Sequence, residues 1–119
     1  MLCDDDRNYT DSIRALLEKE GYAVSVAGDV AELADTLGKA PPADLYILDM
    51  DMPGGGGQAA AELLRANEAT ADTPILISSG VPAVEQEGWF QKLGRIRCLQ
   101  KPVPPQTLLA VIKAGVREE

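Results

Sequence analysis

Acidic side chains followed by proline and glycine mark the most chemically suggestive stretch of the chain, which reads LYILDMDMPGGGG over residues 45–57. Four apolar residues run into Asp49, and Asp51 follows two places later. A carboxylate at the end of a buried strand is poorly solvated, so its ionisation is costly. That cost indicates a functional role for Asp49.

Polar residues also follow the other apolar runs that we predict to be strands. Because the carboxyl ends of parallel strands meet at one edge of a sheet, we expect these residues to converge although they are distant in sequence. They are Asp4 and Asp5 after the first strand, Asp49 after the third, Ser78 and Ser79 after the fourth, and Lys101 after the fifth.

Composition narrows the chemistry that these residues can perform. Histidine is absent from the 119 residues, which excludes Ser-His-Asp and Cys-His catalysis within the chain and leaves little for a zinc site. The net charge of −8 argues against nucleic acid or an anionic membrane as a direct partner.

Without a long apolar run or a leader, the chain is expected to be cytoplasmic. Cys3 and Cys98 fit no metal-ligand spacing and are expected to be buried, reduced thiols.

Helical and strand patterns alternate along the chain and predict the scaffold for these residues. Strands are predicted near residues 1–3, 22–27, 44–49, 74–79 and 95–100, with helices between them and a last helix from Pro105. The first helix has an apolar stripe of Tyr9, Ile13, Leu16 and Leu17, and the third is predicted over residues 59–67. Asp29 is placed to cap the second helix. The pattern predicts one α/β domain over residues 1–119, a parallel sheet with helices on both faces. Its first strand should be short or clipped.

Four motifs, in order and at matching separations, resemble the receiver domain of two-component response regulators. They are DD at residues 4–5, LDMDMPGGGG at 48–57, ILISSG at 75–80 and LQKPV at 99–103. Any one of them is a weak signal, but the four together cover essentially the whole chain. The resemblance implies a flavodoxin-like, five-stranded parallel sheet with strand order 2-1-3-4-5.

The resemblance implies a signalling phosphoacceptor, not an enzyme, although such a domain catalyses its own phosphorylation and dephosphorylation. Asp49 would accept a phosphoryl group from a phosphohistidine on a sensor histidine kinase or a histidine phosphotransfer protein. Crowded carboxylates repel one another, which favours a divalent cation, Mg²⁺ or Mn²⁺. Asp5 and Asp49 would bind the ion directly, Asp4 through water, and Asp51 through its backbone carbonyl.

The resemblance also implies a conformational switch around the phosphoacceptor. Lys101 would neutralise phosphoryl oxygens, and the Ser79 hydroxyl would bond to one of them and draw in the loop behind the fourth strand. The switch region would include Gly80, Cys98 and Pro102, with a cis Lys101–Pro102 bond. Receivers commonly carry an aromatic residue where this chain has Cys98, and a small side chain cannot make the same rotamer change.

Output would then pass through the helix at 82–93, the strand at 95–100 and the last helix. The partner that receives this output would be an output domain or, in a self-dimer, a second copy of the chain. The Cys98 substitution and the sequence of the last segment are similar to those of receivers attached to hybrid sensor kinases.

Alternative interpretations use the same residues. A haloacid-dehalogenase-like phosphatase would use Asp49 and Asp51, but that family needs metal-binding acids after the lysine, where only Glu118 and Glu119 lie. A pseudo-receiver would bind partners without phosphorylation, and a flavin-binding electron carrier would need a phosphate cradle in place of the first acidic loop. The GGGG run is expected to be a flexible turn, not a phosphate loop. Purely structural roles are a helix cap for Asp4, a solvated charge for Asp6 and helix packing for Trp89.

Overall fold

Five parallel strands form a single sheet in the computed structural model, which describes residues 1–39, 41–80 and 87–117. The strands are β1 (Leu2–Cys3), β2 (Val26–Ala27), β3 (Tyr46–Asp49), β4 (Ile75–Ser79) and β5 (Ile96–Gln100). Their order across the sheet is β2-β1-β3-β4-β5, which confirms the predicted fold class and strand order.

Helices follow the strands in turn. They are α1 (Arg7–Lys19), α2 (Val30–Leu37), α3 (Gly56–Ala66), α4 (Glu87–Leu93) and α5 (Pro105–Arg117), with a 3₁₀ turn at Glu68–Thr70. The predicted helix at 82–93 is confirmed from Glu87 onwards, and residues 82–86 lie outside the described residues. Asp29 caps α2 as predicted, because its Oδ1 accepts the Glu32 N–H at 2.8 Å.

Two apolar cores lie on the two faces of the sheet, since successive strand side chains point to opposite faces. On one face Leu48 and Ile77 pack with Leu33 of α2, Leu64 of α3 and Phe90 of α4. The other face is covered by α1 and α5, and its buried residues are Leu2, Ile13, Leu17, Leu45, Ile47, Leu76, Leu108, Leu109 and Ile112. Helices therefore cover both faces, as predicted.

Trp89 has the packing role that the sequence predicts. It is half-buried against the first core, and its ring meets that of Phe90 edge-on with centroids 4.5 Å apart. Cys3 is fully buried, whereas Cys98 on β5 is only half-buried, and both are unpaired thiols. Burial raises the pKa of Cys3 to about 12, so this thiol is protonated at neutral pH.

Candidate functional site

A cleft of about 790 Å³ opens at the carboxyl edge of the sheet, where the sequence places its polar residues. The first acidic loop, the start of α1, the end of β3 and the segment joining β5 to α5 form its walls. Its lining residues are Asp4, Asp5, Asp6, Tyr9, Ser12, Ile13, Asp49, Lys101, Pro102, Val103 and Pro105. The structure therefore brings together residues that lie almost a hundred positions apart.

Three carboxylates meet in this cleft. One oxygen each from Asp4, Asp5 and Asp49 lies within 4.8 Å of the others. Asp4 and Asp49 are buried and Asp5 is exposed. The first two acids follow β1 and Asp49 ends β3, and these strands pair in parallel with Cys3 opposite Leu48. Strand pairing therefore fixes the distance between the two acidic segments.

Lys101 approaches the acids from the end of β5. Its Nζ donates to Asp49 Oδ1 at 2.5 Å, and the backbone N–H of Asp51 donates to the same oxygen at 3.3 Å. Burial acts to lower the pKa of Lys101, but the hydrogen bond and charge of Asp49, with the charges of Asp4 and Asp51, raise it overall. The lysine is therefore a fixed positive charge at the phosphoacceptor position that the sequence predicts.

The pKa of Asp4 is raised, and burial is the largest cause of the rise. A hydrogen bond from the Asp6 N–H at 2.9 Å and the charge of Lys101 oppose it, and the charges of Asp49 and Asp5 add to it. One lysine does not offset three clustered carboxylates. Carboxylate oxygens are hard ligands, which Mg²⁺ and Mn²⁺ accept, so the donor set fits a divalent cation.

The purely structural interpretation has Asp4 as a helix cap and Asp6 as a solvated charge. Asp6 caps α1 by accepting the Tyr9 N–H at 3.1 Å, so it is the helix cap and Asp4 is not. The Asp51 side chain is exposed and lies outside the acid cluster. Its backbone N–H donates to Asp49 Oδ1 at 3.3 Å.

Ser79 ends the fourth strand, and Gly80 follows it. Ser78 pairs with Asp49 in the β3–β4 register, and Ser79 is fully buried one residue further along. The backbone N–H of Lys101 donates to the Ser79 carbonyl at 2.7 Å, which ties the two motifs together. Ser79 is not among the residues that line the cleft. Gly80 is exposed, and a Cβ there would meet nothing within 4 Å.

The glycine run after Asp49 is a tight turn that leads directly into α3. Gly56 has φ +73°, and a Cβ on it would lie 2.2 Å from the Met50 carbonyl oxygen. At Gly54, with φ +93°, a Cβ would lie 2.9 Å from the Val30 side chain. Non-glycine residues rarely adopt such φ values. The sequence predicts the turn but not its close packing, and α3 begins at Gly56, not near residue 59 as predicted.

The remaining predicted switch residues lie on and after β5. Cys98 pairs with Ile77 across the β4–β5 ladder and packs against the first core. Pro102 is exposed and lines the cleft, and the Lys101–Pro102 bond is cis as predicted.

Arg65 forms a contact that the sequence analysis missed. From α3 its guanidinium donates to the carbonyl oxygens of Leu93, Gly94 and Arg95, which join α4 to β5, and to that of Thr70. Burial and the charge of Arg95 lower its pKa. An arginine near the end of an amphipathic helix is usually a solvated charge, so the sequence contains no signal for this contact.

Comparison with known proteins yields one family. A sequence model described as the response regulator receiver domain matches residues 1–113. The transcriptional regulatory protein CpxR of Escherichia coli K12 is 33% identical over 117 residues, covering 98% of this chain and 48% of CpxR. The cell cycle response regulator CtrA of Brucella abortus S19 is 32% identical, covering 98% and 49%. The chain thus spans about half the length of these curated relatives.

The fold has matching solved structures as well. The chemotaxis response regulator CheY4 of Vibrio cholerae superposes with a TM-score of 0.87 at 27% identity, covering 96% of this chain and 94% of CheY4. In the part of the chain that the structure describes, no helix has the length and apolar character needed to cross a bilayer.

Proposed function

The chain belongs to the response regulator receiver domains, signalling modules of two-component systems, and on that premise we propose that Asp49 accepts a phosphoryl group. The observation that carries the proposal is the 2.5 Å contact between Lys101 and Asp49, made beside two further carboxylates in one open cleft. The donor would be a phosphohistidine on a sensor histidine kinase or a histidine phosphotransfer protein, as membership of the receiver family implies.

Asp4, Asp5 and Asp49 would hold Mg²⁺ or Mn²⁺ together with the backbone carbonyl of Asp51. When bound, the ion neutralises negative charge on the phosphoryl oxygens. The clustering of these three carboxylates supports this assignment, because a divalent cation would reduce the repulsion between them.

The residues then act in sequence. An Asp49 carboxylate oxygen forms the new P–O bond as the bond to the donor nitrogen breaks, which gives an acyl phosphate. Lys101 donates to Asp49 Oδ1 before the reaction. As negative charge develops on the phosphoryl group, its Nζ would donate to a phosphoryl oxygen instead. The Ser79 hydroxyl would bond to another phosphoryl oxygen and draw in the segment that begins at Gly80.

The new group carries about −1.5 to −2 charges, enough to bias a two-state segment that lies within a few kcal/mol of balance. Output would pass through α4, β5 and α5 to an output domain or a second copy of the chain. Cys98 is half-buried and has no ring, so this surface would have to change without the inward aromatic rotation that receivers commonly use.

Intact-mass measurement after incubation with phosphoramidate and Mg²⁺ tests the proposal. We expect a single phosphoryl adduct that Asp49→Asn abolishes and that the matched control Asp51→Asn retains. Chelation of the divalent cation should also abolish the adduct. An unmodified mass, under conditions that phosphorylate a known receiver, would refute the proposal.

The phosphatase alternative has less support. It needs the Asp51 carboxylate at the reacting centre, and that side chain is exposed and outside the acid cluster. Multiple-turnover release of phosphate from an unrelated monoester, lost in Asp51→Asn, would favour the phosphatase. A pseudo-receiver would give no adduct in the mass experiment.

A further inference from the structure

The cleft is much larger than a cation and a phosphoryl group require. Its volume is about 790 Å³, whereas a water molecule occupies roughly 30 Å³ of liquid. Asp4, Asp5, Asp49 and Lys101 account for only part of its lining. α1 also contributes Tyr9 and Ile13, and the segment before α5 contributes Pro102 and Val103. The cleft that holds the phosphoryl site therefore also has an apolar part of its lining with no assigned function.

Tyr9 is the aromatic residue in that lining, and it faces two environments. It packs against the apolar core under α1, and it also lines the cleft. Burial raises the pKa of its hydroxyl, and the charge of Asp4 adds to the rise, so the phenol lies within electrostatic range of the acids. Among the described residues the phenol has no hydrogen-bond partner. The core holds the ring in place, and its cleft side is available for contact.

We propose that Tyr9 is a specificity-determining residue that contacts the leaving group of the phosphodonor and favours donors whose leaving group is a planar ring. This inference rests on the proposed phosphorylation of Asp49. Attacking and leaving atoms lie roughly in line across the transferred phosphorus. Asp49 is only 4% exposed and lines the cleft, so a donor reaches it through the cleft and its leaving group lies there, where Tyr9 is also part of the lining.

The reaction with a ring donor balances without another reagent. Phosphoimidazole reacts with its second ring nitrogen protonated, the P–N electron pair goes to the departing nitrogen, and Asp49 forms the P–O bond. The product is neutral imidazole, a planar ring that packs against a tyrosine face. Aromatic pairs of this kind favour binding by about 3- to 10-fold.

Two donors that both break a P–N bond test the proposal, because monophosphoimidazole has a ring and phosphoramidate has none. Phosphorylation of Asp49 is followed by intact mass at a series of donor concentrations. The variants are Tyr9→Leu, which keeps apolar bulk against the core, and Tyr9→Phe, which keeps the ring. Tyr22→Leu is the matched control, since Tyr22 lines a separate pocket near the amino ends of the strands.

We expect Tyr9→Leu to raise the half-saturating concentration of monophosphoimidazole about 3- to 10-fold, with phosphoramidate changed less than twofold. Tyr9→Phe and Tyr22→Leu should stay within twofold of the unaltered protein for both donors. If Tyr9→Leu slows both donors alike, or neither, the Tyr9 assignment falls while Asp49 phosphorylation stands. If neither donor modifies the unaltered protein, the proposed function falls and takes this inference with it.

Discussion

Lys101 and Arg65 are both long cations that join separate elements, but their partners differ in kind. Lys101 contacts one carboxylate, that of Asp49, and 38% of its side chain remains exposed. Arg65 spreads its donors over four backbone carbonyls from two segments. A carboxylate can form an ion pair with any cation that lies close to it. Several carbonyl oxygens at fixed positions need N–H donors that point in matching directions, as those of the planar guanidinium do. The comparison separates a replaceable charge contact from a structural contact that depends on geometry.

The largest effect is expected for Lys101→Met on phosphorylation. Removing a donor that stabilises developing negative charge typically slows a reaction 10²- to 10³-fold, so we expect a loss near 100-fold with phosphoramidate. Without divalent cations the variant should also be less stable, since Asp49 loses its cationic partner, and Mg²⁺ should restore that stability. Arg97→Met removes an exposed cation from the same strand and should change neither quantity. Unaltered phosphorylation in Lys101→Met would show that Lys101 has no role in phosphoryl transfer.

Arg65→Met is expected to give the next largest effect, on folding alone. The carbonyls of Leu93 and Gly94 would lose their donors, and that of Thr70 would keep only the Thr73 N–H, which should lower the free energy of unfolding by about 1–3 kcal/mol. Urea denaturation measures this loss. Added Mg²⁺ should raise the free energy of unfolding of Arg65→Met only as much as it raises that of the unaltered protein. Arg14→Met, which removes an exposed pair with Glu18, serves as control. Rescue of Arg65→Met by Mg²⁺ would show that the two cations act alike.

Asp4→Asn should stabilise the metal-free protein. The pKa of Asp4 is raised above its ordinary 3.8 by burial, so the folded state binds more protons than the unfolded state as pH rises from that value. Stability conferred by this group therefore falls as pH increases through its folded pKa. Replacing it should raise the free energy of unfolding at neutral pH by about 0.5–2 kcal/mol and flatten its pH dependence.

Urea denaturation in a chelator, over a pH series from acid to neutral, measures both effects. Asp11→Asn, on the exposed side of α1, is the control and should change little. A less stable Asp4→Asn protein would mean that Lys101 already balances the acids, and that the cleft has no surplus charge for a cation to relieve.

Lys113→Met should have the smallest effect. Lys113 on α5 bonds to Glu20 beyond α1 at 3.0 Å, and both side chains are substantially exposed. Exposed pairs are worth about 0.2–1 kcal/mol, so thermal unfolding should shift by a degree or two, and less at high salt. A loss as large as that of Arg65→Met would show that the number of hydrogen bonds does not distinguish these cations.

The sequence predicts well what depends on local pattern. Apolar runs followed by acids, hydroxyls or a lysine locate the carboxyl edge of the sheet, and parallel pairing then brings Asp4, Asp49 and Lys101 together. Strand length is harder to predict. YAVSVA alternates over six residues, yet β2 is only Val26–Ala27, because its partner β1 has just two residues to pair with.

Contacts between distant segments could not be predicted from one sequence. Arg65 bonds to residues 28 to 30 positions away, and neither end carries a local signature of the other. The start of α3 was missed because glycine is a poor helix former, whereas the close approach of Gly56 to Met50 excludes any larger residue. Tyr9 was assigned to the apolar stripe of α1, and only the structure places its second side in the cleft.

The edge-on pair of Trp89 and Phe90 has a practical consequence, since each is the single residue of its type in the chain. Selectively excited indole fluorescence must therefore originate from α4 alone. The emission wavelength of an unlabelled sample therefore reports on the surroundings of that helix, and stopped flow can follow its time course during phosphorylation.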